Sequence, residues 1–78
     1  MMKNTLKDAL LNRGWGIDFI NENDTYFKYV NALPASITLY TQGFTYRFTG
    51  VIDIHVQYSD IARIEDDRIV LQMGTLAI

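Results

Sequence analysis

The segment FTYRFTGVIDIHVQY, residues 44–58, decides the fold because apolar and polar side chains alternate along its length. The apolar residues occupy the even-numbered positions on both sides of Gly50, namely Phe44, Tyr46, Phe48, Ile52, Ile54, Val56 and Tyr58. An alternation with a period of two is typical of a β-strand that buries one face. The segment therefore predicts antiparallel β-structure with these side chains in the core.

Two arrangements of residues 44–58 keep the apolar side chains on one face. In one, residues 49–51 form a three-residue loop, and Phe48 lies opposite Ile52 in a hairpin. In the other, a single strand bends at Gly50, as strands do at the corners of small barrels. A straight strand of this length would be ~50 Å long, more than a domain of this size can hold. We favour the bent strand, because glycine is not the usual residue at the middle of a three-residue loop.

The helix that the sequence predicts covers residues 4–13. Asn4 or Thr5 can cap its N-terminus, and Leu6 and Leu10 fall on one stripe. A helix of about three turns is not stable alone. We therefore expect its apolar stripe to dock on a sheet.

Residues 15–31 predict a hairpin of two strands. A three-residue loop would place Ile17 opposite Tyr29 on the inner face and Asp18 opposite Lys28 on the outer face. The odd-numbered side chains of the second strand would then point into the core. Because polarity matches on both faces, we predict this register.

A second hairpin is predicted with a two-residue turn at Gln42-Gly43, which places Leu39 opposite Tyr46. Pro34 precedes it and has no N–H group to donate to a neighbouring strand. The segment around Pro34 is therefore predicted to be a connection or the start of a strand.

These elements predict a single domain, residues 1–78, of the α+β class and mostly β. We expect one short N-terminal helix followed by five or six antiparallel strands, in a small barrel or a strongly bent sheet. The segments with strand character lie near residues 15–20, 25–31, 36–41, 44–49, 51–58, 61–65 and 68–73.

Composition excludes several classes of protein. The chain has no cysteine, seven basic and nine acidic side chains, and a net charge of −2. The lack of cysteine excludes disulfide scaffolds and thiolate metal sites. Scattered basic residues disfavour a nucleic-acid partner, and no apolar run reaches the ~20 residues of a membrane span. With no leader pattern at the N-terminus, we expect a cytoplasmic protein.

Candidate chemistry is sparse. His55, the single histidine, lies on the polar face of its strand with Asp53 and Gln57. No nucleophile motif accompanies it, and these side chains do not supply the three or four ligands that a metal needs. We therefore predict no catalytic residue, no metal and no cofactor.

The candidate interaction surface has two parts. Ile20, Tyr26 and Tyr40 have the parity opposite to that of the predicted core, so an apolar patch would remain outside it. The acidic run Glu65, Asp66 and Asp67 marks a turn that could face a basic partner. The alternative for Tyr26 is burial beneath the N-terminal helix.

The function that these observations favour is a non-enzymatic protein-interaction module. Its partner would be another protein or a second copy of the chain, and its role that of an adaptor, a subunit or a small inhibitor. An inhibitor encoded by a phage or a mobile element fits the size and acidity. Two alternatives remain open, which are a small barrel that binds single-stranded nucleic acid and a small enzyme that uses His55.

Overall fold

The computed structural model describes residues 2–18, 24–49 and 52–78. Within these ranges the chain forms one α-helix and eight strands. In chain order they are α1 (Met2–Asn12), β1 (Gly16–Asp18), β2 (Asp24–Val30), β3 (Leu33–Leu39), β4 (Gly43–Phe48), β5 (Ile52–Gln57), β6 (Ile61–Ile64), β7 (Arg68–Leu71) and β8 (Thr75–Ala77). A short 3₁₀ helix, Tyr58–Asp60, joins β5 to β6.

The strands form two antiparallel sheets, one of five strands in the order β1-β2-β3-β4-β5 and one of three in the order β6-β7-β8. This confirms the predicted class, mostly β with one N-terminal helix. The predicted number of five or six strands is too low, because the described residues contain eight, in two sheets. No closed barrel is found in that part of the chain. The strands β6 and β7 lie within the predicted segments 61–65 and 68–73, and β8 was not predicted.

One hydrophobic core joins α1 and both sheets. Leu6 and Leu10 on α1 are fully buried, which places the predicted apolar stripe of the helix in the core. The helix already includes Asn4 and Thr5, so the prediction that one of them caps its N-terminus is wrong. The five-stranded sheet contributes Tyr26, Ile37 and Tyr46, which face one another in the register of β2, β3 and β4. We call this face of the five-stranded sheet the inner face and the opposite one the outer face.

Residues 44–58 form a hairpin, so the bent strand that the glycine position favoured is wrong. Strands β4 and β5 pair with Phe48 opposite Ile52 and Tyr46 opposite Ile54, the register of the three-residue loop. Gly50 itself lies outside the described residues. The inner-face parity is the same in both arrangements, which is why the alternation alone could not separate them.

The predicted register of the first hairpin is wrong. Ile17 lies opposite Tyr26, and Asp18 lies opposite Thr25 rather than Lys28. The shift reverses the parity of β2, so Tyr26 is fully buried and Phe27 is 47% exposed.

The turn that follows β2 accounts for this parity. Val30 lies opposite Leu33, which leaves Asn31 and Ala32 as a two-residue turn. Both turn residues have positive φ, 53° and 66°, as a type I′ hairpin turn requires. This register places Tyr26 opposite Ile37, so the buried face of β3 determines the face that β2 buries. Pro34 is therefore the second residue of β3 and lies opposite Tyr29 in the hairpin, which agrees with the predicted start of a strand.

The hairpin of β3 and β4 keeps the predicted faces with a shifted register. Leu39 lies opposite Phe44 instead of Tyr46, and the turn residues are Thr41 and Gln42. Gly43 is then part of β4, where a side chain would overlap the main-chain oxygen of Val56. A register shift of two residues leaves every side chain on its original face.

Candidate functional site

The outer face of the five-stranded sheet carries exposed aromatic side chains. Phe27 is 47% exposed and Tyr29 is 72% exposed, and both lie on β2. Tyr40, at the end of β3, is 43% exposed. An exposed cluster of aromatic residues on a rigid sheet is typical of a surface that binds another molecule.

Phe27 borders three cavities on this face. The first, of about 190 Å³, is lined by Phe27, Tyr40 and Arg47 and has a floor of threonine and serine side chains. The second and third, of about 300 and 230 Å³, share Phe27 and Pro34. Phe27 is thus a ridge between depressions, and a partner that fills them would surround the ring.

A row of hydroxyl groups crosses the outer face beside Phe27. The Oγ1 atoms of Thr25 and Thr38 lie 3.2 Å apart, and Thr45 Oγ1 lies 2.8 Å from Nδ1 of His55. The residues are successive cross-strand neighbours on β2, β3, β4 and β5. His55 therefore has a hydroxyl partner on the adjacent strand.

Arg47 and Asp53 form a two-pronged ion pair in the next row. Arg47 Nε and Nη2 donate to the two carboxylate oxygens at 2.7 and 3.0 Å. The hydrogen bond from Arg47 lowers the pKa of the Asp53 carboxyl below its ordinary value. Both carboxylate oxygens of Asp53 thus accept a hydrogen bond from Arg47, and within the described chain the imidazole of His55 bonds to Thr45 rather than to Asp53.

A second exposed region lies at β5, the last strand of the five-stranded sheet. Ile52 and Ile54 have inner-face parity, yet they are 54% and 37% exposed. A cavity of about 360 Å³ lies beside them and is lined by Ile54, Val56, Leu71 and Met73 together with three polar residues. We call this region the β5 edge.

The residues predicted as an apolar interaction surface separate in the structure. Tyr26 is fully buried, so its predicted position on the outer face is wrong. Burial, with the nearby charges of Asp24 and Asp8, raises the pKa of Tyr26 above its ordinary value. Tyr40 does lie on the outer face, and Ile20 lies outside the described residues.

The predicted acidic surface is paired with arginines. The pairs are Glu65 with Arg63 (2.7 Å), Asp67 with Arg68 (2.9 Å) and Asp66 with Arg13 (3.9 Å). Arg13 also donates to the main-chain oxygens of Glu65 and Asp66, at 2.8 and 2.9 Å, and so holds the turn against the end of α1. The hydrogen bond from Arg68 lowers the pKa of Asp67. These pairs weaken the negative field that the sequence alone suggests.

In the part of the chain that the structure describes, no cluster of three or more His, Asp or Glu side chains could hold a metal ion. Over the same ranges, no helix has the length and apolar character needed to cross a bilayer.

Sequence reasoning missed Phe27 and the β5 edge as surfaces. The feature that could have predicted the exposure of Phe27 is the two-residue turn at Asn31 and Ala32. This turn sets the register between β2 and β3, which places Phe27 on the outer face. The exposure of Ile52 had no local signal, because its parity in the alternating pattern is the same as that of the buried Val56.

Comparison with protein-family models, with curated proteins and with solved structures finds no match to this chain.

Proposed function

We propose that the chain is a non-enzymatic protein-interaction module that binds a partner protein through its outer face. The observation that carries the proposal is the position of Phe27, an exposed ring on a central strand between three cavities. The partner would insert apolar side chains into these cavities and bury the ring.

The energetics of such a site favour binding. Burying an exposed phenylalanine side chain stabilises a complex by roughly 1.5–3 kcal/mol. Because β2 is paired on both sides, by β1 and β3, the position of Phe27 is fixed before the partner arrives, which reduces the entropic cost of association. Tyr29 and Tyr40 extend the aromatic area, and tyrosine is enriched at protein interfaces.

The polar groups around Phe27 provide orientation. Arg47 and Asp53 form an exposed ion pair beside the cavities, and rim charges of this kind affect partner selection more than affinity. An adaptor, a subunit and a small inhibitor all use a surface of this type, and an inhibitor from a phage or a mobile element is one such case.

Single-stranded nucleic acid is the second candidate, and the exposed aromatic rings favour it. Bases stack on exposed aromatic side chains of antiparallel sheets. Two cations line the three cavities, and both have partners: Arg47 is paired with Asp53, and Lys28 donates to the main-chain oxygen of Ile78. The chain also has a net charge of −2, so the electrostatic attraction to phosphate is weak.

Affinity capture with matched variants tests the proposal. The wild-type chain and Phe27→Ala would be immobilised and exposed to a lysate of the source cells, with Leu11→Ala on α1 as the control for loss of another exposed apolar side chain. We expect a protein that the wild type and Leu11→Ala retain and Phe27→Ala loses. With the purified partner, calorimetry should show that Phe27→Ala weakens binding at least about tenfold.

Two results would contradict the proposal. One is capture that is the same for wild type and Phe27→Ala, with both shown to be folded by circular dichroism. The other is binding of a labelled single-stranded oligonucleotide that weakens steeply with salt and depends on Phe27, which would establish the second candidate instead. Tyr29→Ala, which removes a side chain that is 72% exposed, provides a second variant with little risk to folding.

A further inference from the structure

The edge of β5 that faces away from β4 is regular, and no other strand among the described residues pairs with it. The strand has six residues, five of which are exposed. It pairs with β4 on one side and ends the five-stranded sheet on the other. It contains no proline and no lysine, and its pairing with β4 has no bulge, so three of the devices by which proteins protect an edge strand are missing from it.

The hydrogen-bond pattern identifies which main-chain groups point outward. Tyr58 N donates to Gln42 O at 3.0 Å, which continues the β4–β5 register and makes that pair a hydrogen-bonded one. Hydrogen-bonded and non-hydrogen-bonded pairs alternate along an antiparallel ladder. The even-numbered residues of β5 therefore bond to β4, and the main-chain groups of Asp53, His55 and Gln57 face the open edge.

We infer that β5 pairs with β5 of a second copy of this chain, antiparallel, with Ile54 opposite Ile54 across a two-fold axis. In this register Asp53 lies opposite His55 of the second copy, twice by symmetry, and Ile52 lies opposite Val56. Only registers that pair odd-numbered with odd-numbered residues satisfy the outward hydrogen bonds and keep the two inner faces on the same side.

The polar side chains select this register from its neighbours. A shift of one step in one direction places Asp53 opposite Asp53, and like charges directly opposite are destabilising. A shift in the other direction places His55 opposite His55 and Asp53 opposite Gln57, so no imidazole lies opposite a carboxylate. His55 Nδ1 lies 2.8 Å from Thr45 Oγ1, and Nε2 has no partner among the residues that the structure describes. Each carboxylate oxygen of Asp53 accepts one hydrogen bond from Arg47 and retains a second lone pair, so Nε2–H can donate to Asp53 of the second copy.

The inner face supports the same pairing. Ile52 and Ile54 are exposed although they have core parity, and the second copy would cover them. Ile54 of the second copy would lie opposite Ile54 of the first, and Ile52 of the second copy opposite Val56. Both lie beside the cavity of about 360 Å³ that Leu71 and Met73 help to line. Met73, which is 99% exposed in the single chain, would contact the second strand.

The dimer would join two five-stranded sheets into one continuous sheet with a shared outer face. Two copies of Phe27 would then lie on one surface. This inference is independent of the proposed function, because it rests on β5 and not on the cavities around Phe27.

Single-cysteine variants test the register directly, because the chain has no cysteine of its own. In the proposed dimer the two Ile54 Cα atoms form a non-hydrogen-bonded pair ~4.5 Å apart, within the range of a disulfide. Ile54→Cys treated with oxidised glutathione should therefore cross-link to a covalent dimer. Ile52→Cys should remain monomeric under the same treatment, because its two copies lie ~13 Å apart along the strand.

His55→Cys distinguishes the competing register. It should not cross-link in the proposed dimer, and it would cross-link if His55 lay opposite itself. Sedimentation equilibrium of the wild type should show a dimer that is present without any covalent bond. A wild-type monomer at every accessible concentration, or cross-linking of Ile52→Cys or His55→Cys that equals that of Ile54→Cys, would overturn the inference.

Charge variants at the exposed position 55 provide the second test. His55→Asn removes the imidazole without adding a charge and should preserve the dimer. His55→Asp places like charges opposite each other at two symmetric points and should raise the dimer dissociation constant roughly tenfold or more. Equal dissociation constants for the two variants would contradict the register. Phe27→Ala should leave the cross-linking of Ile54→Cys unchanged, which separates a failure here from a failure of the proposed function.

Discussion

The indole Nε1 of Trp15 donates a hydrogen bond to the main-chain oxygen of Ile78, 63 positions later in the chain, at 3.1 Å. Lys28 Nζ donates to the same oxygen at 2.9 Å. Trp15 is only 3% exposed and Ile78 only 4%. The last strand, β8, is thereby fixed against the beginning of the five-stranded sheet, and the two sheets share one core.

Trp15→Phe should lower the free energy of unfolding by about 2 kcal/mol, from the lost hydrogen bond and the smaller ring. Urea unfolding followed by circular dichroism measures it. Lys28→Met removes the other donor. Since the oxygen of Ile78 keeps one donor in each single variant, the double variant should lose more stability than the two singles together. Strict additivity would show that the shared acceptor is not important.

Gly43→Ala should destabilise the fold by roughly 1–3 kcal/mol, because the new Cβ overlaps the main-chain oxygen of Val56 and the strand must move. Gly74→Ala is the matched control, since no atom lies within 4 Å of the Cβ position there. Its effect should remain within about 0.5 kcal/mol. An equal change in melting temperature for both variants would contradict the close approach of β4 and β5.

The sequence predicted the inner face of residues 44–58 but not that of β2, and the difference has a physical cause. In β4 the side chains that alternate with the aromatic ones, Thr45 and Arg47, are polar, so only one of the two faces can be buried. In β2 both faces carry aromatic residues, with Tyr26 on one and Phe27 on the other. Periodicity cannot decide between two apolar faces, and the turn at Asn31 decides instead.

The candidate site was predicted only in part, for a related reason. Tyr40 lies on the outer face as its parity indicated, whereas Tyr26 is in the core. Ile54 is 37% exposed although its parity is that of the core, so burial of the inner face is incomplete along β5. Which part of a sheet is covered is a property of tertiary packing, so an alternating pattern that predicts a buried face does not predict where burial stops.

Ala32→Gly should stabilise the chain by roughly 0.5–1 kcal/mol, because Ala32 has a φ of 66° and an alanine side chain is strained in that region. Asn31→Gly at the preceding position, φ 53°, is the control. Asparagine tolerates positive φ better than alanine does, so the gain there should be smaller. Equal gains at both positions, measured by urea unfolding, would mean that strain at Ala32 is not the cause.

Stability should decrease at alkaline pH through Tyr58. Burial, followed by the charge of Asp24, raises the pKa of Tyr58 to about 12, and the unfolded chain should titrate near pH ~10. Below the unfolded value both states hold the proton, so this group adds no pH dependence. Between the two values only the folded state holds it, and stability falls as pH rises towards 12.

Thermal melts across this range, compared with Tyr58→Phe, isolate the contribution of Tyr58. The variant also loses the hydrogen bond from Tyr58 to the main-chain oxygen of Tyr40, at 2.6 Å, so its stability at neutral pH should be lower. Its decline with pH should be shallower than that of the wild type. Parallel curves would show that other groups account for the alkaline loss.

The hydroxyl of Tyr26 is buried without a hydrogen-bond partner among the described residues. An unsatisfied buried hydroxyl carries its full desolvation cost, so Tyr26→Phe should raise the free energy of unfolding by about 1 kcal/mol or more. Tyr46→Phe is the matched control, because Tyr46 donates to the main-chain oxygen of Ala77 at 2.7 Å. That variant should lose stability. Tyr26→Ala should lose roughly 3 kcal/mol or more by leaving a cavity in the core. A Tyr26→Phe variant that is less stable than the wild type would show that the hydroxyl of Tyr26 has a hydrogen-bond partner, which contradicts its burial without one.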